Sequence, residues 1–134
     1  IGMPPALLSR FALIVRAEDI GEEDMRELVM RKMSMSAEMK TLARLYDYWV
    51  KLARQYNPSL KAEKASVAAY VERILKLVGT FRETPLRRDA RMSDYARRIP
   101  MAIARSEFRD VEESDLKLAL EVFEDSLQGW NTRR

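Results

Sequence analysis

Apolar residues recur every three or four positions through most of this chain, the period of amphipathic helices. The clearest instance lies over 37–56, where Leu42, Leu45, Tyr46, Trp49, Leu52, Ala53 and Tyr56 share one face. Before it, Met25, Leu28, Val29 and Met33 stripe a helix over 22–32. Glu22, Glu23 and Asp24 open that helix and Arg31 and Lys32 close it, each sign at the end of the helix dipole that favours it. Ser34 or Ser36 can cap the next helix, and Asn57-Pro58-Ser59 ends it by turn chemistry. A third helix over 61–78 places Ala68, Val71, Leu75 and Val78 on one face and stops at Gly79. A fourth begins at the basic cluster Arg87-Arg88-Asp89-Ala90-Arg91, with Met92, Tyr95, Ile99, Ala102 and Ile103 apolar. Pro100 interrupts it, which predicts a bend or two shorter helices. The last, over 112–128, presents Leu116, Ala119, Leu120, Phe123 and Leu127, with Gly129-Trp130 and 131–134 read as fraying or linker.

One stretch breaks this period. Phe11 to Val15 is a five-residue apolar run, too short for a helix and rich in strand formers. Pro4 and Pro5 hold an entry loop before it, and a short turn from Ala6 to Ser9 delivers Arg10 where turn meets strand. The fold expected is therefore mainly α, a bundle of about five helices preceded by one short β-strand. A length of 134 residues points to one domain. The aromatic stripe of 37–56 could be taken for a base-stacking platform; at helical spacing it reads as core.

Composition narrows the chemistry. The 134 residues contain no cysteine and no histidine, which excludes disulfides, thiol catalysis, histidine general-base chemistry and an ordinary zinc site. Absence of cysteine fits an intracellular setting, cytoplasmic or in the nucleoid or nucleus. The net charge of +3, from 24 basic and 21 acidic residues, points only weakly to nucleic acid. No run is long and apolar enough to span a bilayer. Ile1 falls in the middle of a loop, so the sequence reads as a piece of a longer protein.

The block Pro4-Pro5-Ala6-Leu7-Leu8-Ser9-Arg10-Phe11, leading into an aliphatic strand, resembles the arginine-finger segment of the MCM family, the hexameric AAA+ helicases of archaeal and eukaryotic DNA replication. The order of later features extends the likeness over nearly the whole chain. Leu45-Tyr46-Asp47-Tyr48-Trp49 through Asn57-Pro58-Ser59-Leu60 and Ala69-Tyr70-Val71-Glu72 echo the first two helices of the family's lid. Arg91, Ala104-Arg105, Asp110-Val111 and Asp115-Leu116 follow its later pattern, with Arg91 at the position of the second sensor arginine. Ala12 and Asp89 stand where the family usually has Asp and Thr.

The resemblance implies two domains: 1–20, the C-terminal edge of an α/β ATPase core from which the strand is left over, and 21–134, its helical lid. Arg10, supported by Ser9 and Phe11, would be an arginine finger reaching the ATP site of a neighbouring subunit. Arg91 would meet the same phosphates from the lid. Partners implied are the subunits of a homo-hexameric ring and, through the parent protein, DNA; the cofactor is ATP with Mg2+. This sequence holds no Gly-x-x-x-x-Gly-Lys-Ser/Thr phosphate loop and no strand ending in paired acids, so by itself it should not hydrolyse ATP. Neither metal ligands nor a membrane contact is expected of it.

Other readings stand beside this one. The chain could be a non-catalytic interaction module or an inactive MCM relative, or the lid of another AAA+ machine such as a chelatase or transcriptional activator. It could also be a basic helical nucleic-acid binder using Arg87, Arg88, Arg91, Arg97 and Arg98. Arg91, Arg98 and Arg105 are seven residues apart, a line that on most helices is a solvated, salt-bridged surface. For Arg98 and Arg105 that structural reading is kept.

Overall fold

In a computed structural model of the chain, which describes residues 13, 19–80 and 90–131 (side chains to 128), five helices follow one another: α1 Glu22–Met33, α2 Ala37–Gln55, α3 Lys64–Thr80, α4 Ala90–Ser106 and α5 Glu113–Asn131. The fold is mainly α-helical. Among the described residues the only β pairing is one isolated parallel bridge between Leu60 and Val111. The strand expected at 11–15, apart from Leu13, lies outside the described residues. The chain divides into two compact units, Ala17–Tyr56 and the remainder, Ile1–Arg16 with Asn57–Arg134.

In the larger unit α5 is the central element, packing against both α3 and α4. Its Leu116, Ala119, Phe123 and Leu127, spaced by three and four, are all buried, as their period predicts. Around them gather Tyr70, Ile74 and Val78 of α3, Met92 and Ala104 of α4, and Val111. The buried face of α3 is thus rotated from the one its sequence suggests. Tyr70 and Ile74 face the core, whereas Val71 and Leu75 remain partly exposed. α3 also begins at Lys64 rather than 61, because the preceding backbone is already committed: the amides of Lys61 and Ala62 donate to Val111 O, and Val111 N–H to Ser59 O, each at 2.9 Å. These bonds, with Ser59 N–H donating to Asp110 Oδ1, join the entrances of α3 and α5.

α4 runs through Pro100 as one helix and not as two. Proline at that position removes the amide that would bond the carbonyl of Ala96. The Tyr70 hydroxyl donates to that same carbonyl at 2.7 Å. A neighbouring helix so satisfies the acceptor that proline leaves open, which lowers the cost of proline in the helix interior. Burial raises the Tyr70 pKa, keeping the hydroxyl a donor.

α4 ends in a Schellman turn: Phe108 N–H bonds Arg105 O and Arg109 N–H bonds Ala104 O, with Phe108 at φ 54°. Arg109 then grips Asp115 of α5 with both terminal nitrogens and reaches Glu107 through Nε at 2.7 Å. Asp115 is 1% exposed and also accepts from the Glu112 amide, closing the first turn of α5. Burial pushes its carboxyl pKa up, but the Arg109 and Glu112 hydrogen bonds and the Arg109 charge outweigh that, so it lies below the usual range. Those bonds to Asp115, then Glu107, raise the pKa of Arg109. α5 continues through Gly129 to Asn131, where the sequence suggested fraying.

The smaller unit is built differently. α1 and α2 are held by local bonds: Ser36 caps α2 by accepting from Met39 N–H, and Glu22–Arg26, Glu27–Arg31 and Asp47–Lys51 pair at i, i+4 with the acid on the N-terminal side. The aromatic stripe expected to be core is exposed. Leu42 is 65% exposed and Leu45 58%, with Tyr46, Trp49 and Leu52 also open, and Ala53 alone on α2 is buried. The α1 stripe of Met25, Leu28, Val29 and Met33 is exposed as well. The periodicity is real, but the described helices of this unit do not bury it.

Candidate functional site

The described part of the candidate site is α4. Met92, Pro100 and Ala104 are buried on one side, with Ala96 half-buried between them at the same four-residue spacing. That row fixes the rotation of the helix. The line Arg91, Arg98 and Arg105 lies off this row: Arg91 and Arg105 flank its ends by one position, and Arg98 is two positions from both Ala96 and Pro100, across the helix. Seven residues fall slightly short of two full turns, so this line drifts around the helix axis. Arg91 and Arg98 are exposed, whereas Arg105 is half-buried, with its Nε buried and lacking a hydrogen-bond partner among the described residues. An orphaned guanidinium nitrogen at a helix end is a feature the heptad spacing did not announce, and it sets Arg105 apart from a freely solvated stripe.

Arg91 is the second described residue of α4; the residues immediately before Ala90 lie outside the described part of the chain. Arg10, Ser9, Phe11, Arg87 and Arg88 lie outside the described residues, so the structure does not bring Arg10 and Arg91 together or hold them apart.

A second feature of the larger unit had no clear sequence signal. A cavity of about 650 Å³ opens between α3 and α4, lined by Val71, Leu75 and Met101, with Leu116 of α5 and Val111 also contributing. Ser93 and Arg97 are the polar members of its lining besides the Tyr70 hydroxyl, and Arg97 lies 3.6 Å from Met101 Sδ. Val71 and Leu75, the α3 face read from sequence as core, are part of this wall. Such a lining accepts apolar groups; it offers no cradle for phosphates.

Among the described residues no three acidic side chains converge on a point that could hold a metal ion, and no helix is long and apolar enough to cross a membrane. No family model matches the chain, and no characterised protein matches it either.

Proposed function

We propose that this chain supplies the arginine finger and the helical lid of an MCM-like, ATP-dependent DNA helicase. The observation that carries the reading is the Pro4-Pro5 to Arg10-Phe11 block followed, in order, by the lid features that end at Arg91, Arg105 and Asp115. The exposure of Arg91 on α4 supports it, because a sensor arginine must reach nucleotide phosphates from the lid. In this reading Arg10 enters the ATP site of the next subunit of a hexameric ring and stabilises charge developing on the γ-phosphoryl group. Fingers of this kind contribute about 10³ to 10⁵ in rate. ATP supplies the energy of unwinding, with Mg2+ and the phosphate loop held by segments of the parent protein beyond this sequence. Lid residues orient the nucleotide and couple its state to the ring and to DNA.

Arg10→Ala in the full-length parent should abolish ATP hydrolysis while leaving nucleotide binding intact, and Arg91→Ala should lower turnover. Retained hydrolysis in Arg10→Ala removes that residue from the mechanism. A non-catalytic interaction module is the second reading, favoured by the exposed apolar faces of α1 and α2 and by the cavity between α3 and α4. Parent sequence with or without a phosphate loop separates the two.

A further inference from the structure

The α2 stripe has a finer order than a generic amphipathic face. Leu42, Leu45, Trp49, Leu52 and Tyr56 are spaced three, four, three and four, the a and d positions of consecutive heptads. The charged residues of the helix beyond its first turn, Lys40, Arg44, Asp47, Lys51 and Arg54, fall away from that seam, and Met39, Tyr46 and Ala53 flank it on one side. Leu42, Leu45, Tyr46 and Tyr48 are all more than half exposed. Together with Met39, Leu52 and Trp49, they leave on the order of 800 Å² of side-chain surface exposed per copy, an upper bound on what pairing buries that is comparable with one partner's share of a standard specific interface.

We propose that α2 pairs antiparallel with α2 of a second copy of this chain. Orientation follows from the end residues. Counting back from Leu42, the d position is Glu38. In a parallel pair two Glu38 carboxylates would face each other, two Trp49 rings would compete for one layer, and the helix dipoles would be aligned. The antiparallel pair places Leu42 opposite Leu52, Leu45 opposite Trp49, and Glu38 opposite the Tyr56 ring and hydroxyl. The Trp49 and Tyr56 layers then each join a large ring to a smaller group. Glu38 then meets the C-terminal end of the partner helix, where the dipole disfavours its charge and Arg54, the basic residue of the last turn, offsets that. This self-pairing does not depend on the helicase reading and is tested without nucleotide.

Sedimentation of the 134-residue chain should give twice its 15.6 kDa mass at micromolar to hundred-micromolar concentration, falling to one copy on dilution. Leu45→Lys should weaken the dimer by roughly a hundredfold while leaving helix content unchanged, because it places an unpaired charge in the seam. The chain has no cysteine, so introduced thiols report unambiguously. A mixture of Leu42→Cys and Leu52→Cys should form the mixed disulfide in preference to either like pair. A monomer throughout that concentration range overturns the proposal, as does a dimer that Leu45→Lys leaves intact. Preferential Leu42→Cys self-linking overturns the antiparallel arrangement.

Discussion

Across 57–131 the apolar faces of three helices meet at Ala119 and Phe123, whereas across 19–56 residues at the same helical spacing look outward. The two regions differ less in pattern than in what lies behind it. In the first, α5 is sequence-distant from α3 but in contact with it, and a bridge, an ion pair and a tyrosine hydroxyl fasten the connections. In the second, the described hydrogen bonds and ion pairs span at most four residues. Periodicity thus reports that a face is apolar, and only long-range contact reports that it is buried.

The sharpest way to break this comparison is to truncate one side chain from each region. Phe123 is 1% exposed in the middle of the core, and Phe123→Ala should cost about 3–5 kcal/mol by lost burial and an unfilled cavity. Leu45→Ala, at 58% exposure, should change the stability of the dilute chain by less than about 0.5 kcal/mol. Urea unfolding of both variants measures the difference. A Leu45 variant as damaging as the Phe123 variant would mean that α2 is covered in solution and that the contrast is false.

Sequence reading recovered the helices better than their faces, for the same reason. Caps, turn signals and spacing are local, so α1 and α2 were placed within one or two residues of their observed ends. The start of α3 moved because Lys61 and Ala62 bond to Val111, fifty positions away, which no local signal encodes. Pro100 suggested a break since its rescue comes from Tyr70 on another helix. Of the candidate site, the place of Arg91 on the fourth helix was legible, while the burial of Arg105 Nε depends on how α4 is rotated by its packing. The cavity between α3 and α4 is a property of two faces together and leaves no signature in either.

A smaller effect is expected at the turn that fastens α4 to α5. Asp115→Asn keeps the shape of the side chain but removes the charge that Arg109 and the Glu112 amide meet, and should cost about 2 kcal/mol at neutral pH, discounted for the partial exposure of Arg109. The sign of its pH dependence is fixed. A carboxyl whose folded pKa is lowered stabilises the protein above its unfolded value, near 3.9, and loses that contribution as pH falls through the folded pKa. Wild type and Asp115→Asn should therefore differ fully at pH 7 and converge below about pH 4. A constant difference down to pH 2 would assign the effect to packing.

The smallest effect belongs to the other region and sharpens the contrast most. Ser36 caps α2 with a side-chain oxygen 3.3 Å from Met39 N, and Ser36→Ala should cost about 1 kcal/mol of helix stability. In a helix anchored to a core, that loss would be felt by the whole cooperative unit. In α2, supported chiefly from within, it should stay local and leave the unfolding midpoint of 57–131 in place. Amide exchange in the first turn of α2 should accelerate about fivefold in the dilute chain, with the amides of α5 unaffected. If protection falls equally in both helices, the two regions unfold as one and the division at Tyr56 has no energetic meaning. If it falls in α2 alone, the apolar seam of that helix belongs to an element stable enough to form locally but dependent on another surface for burial.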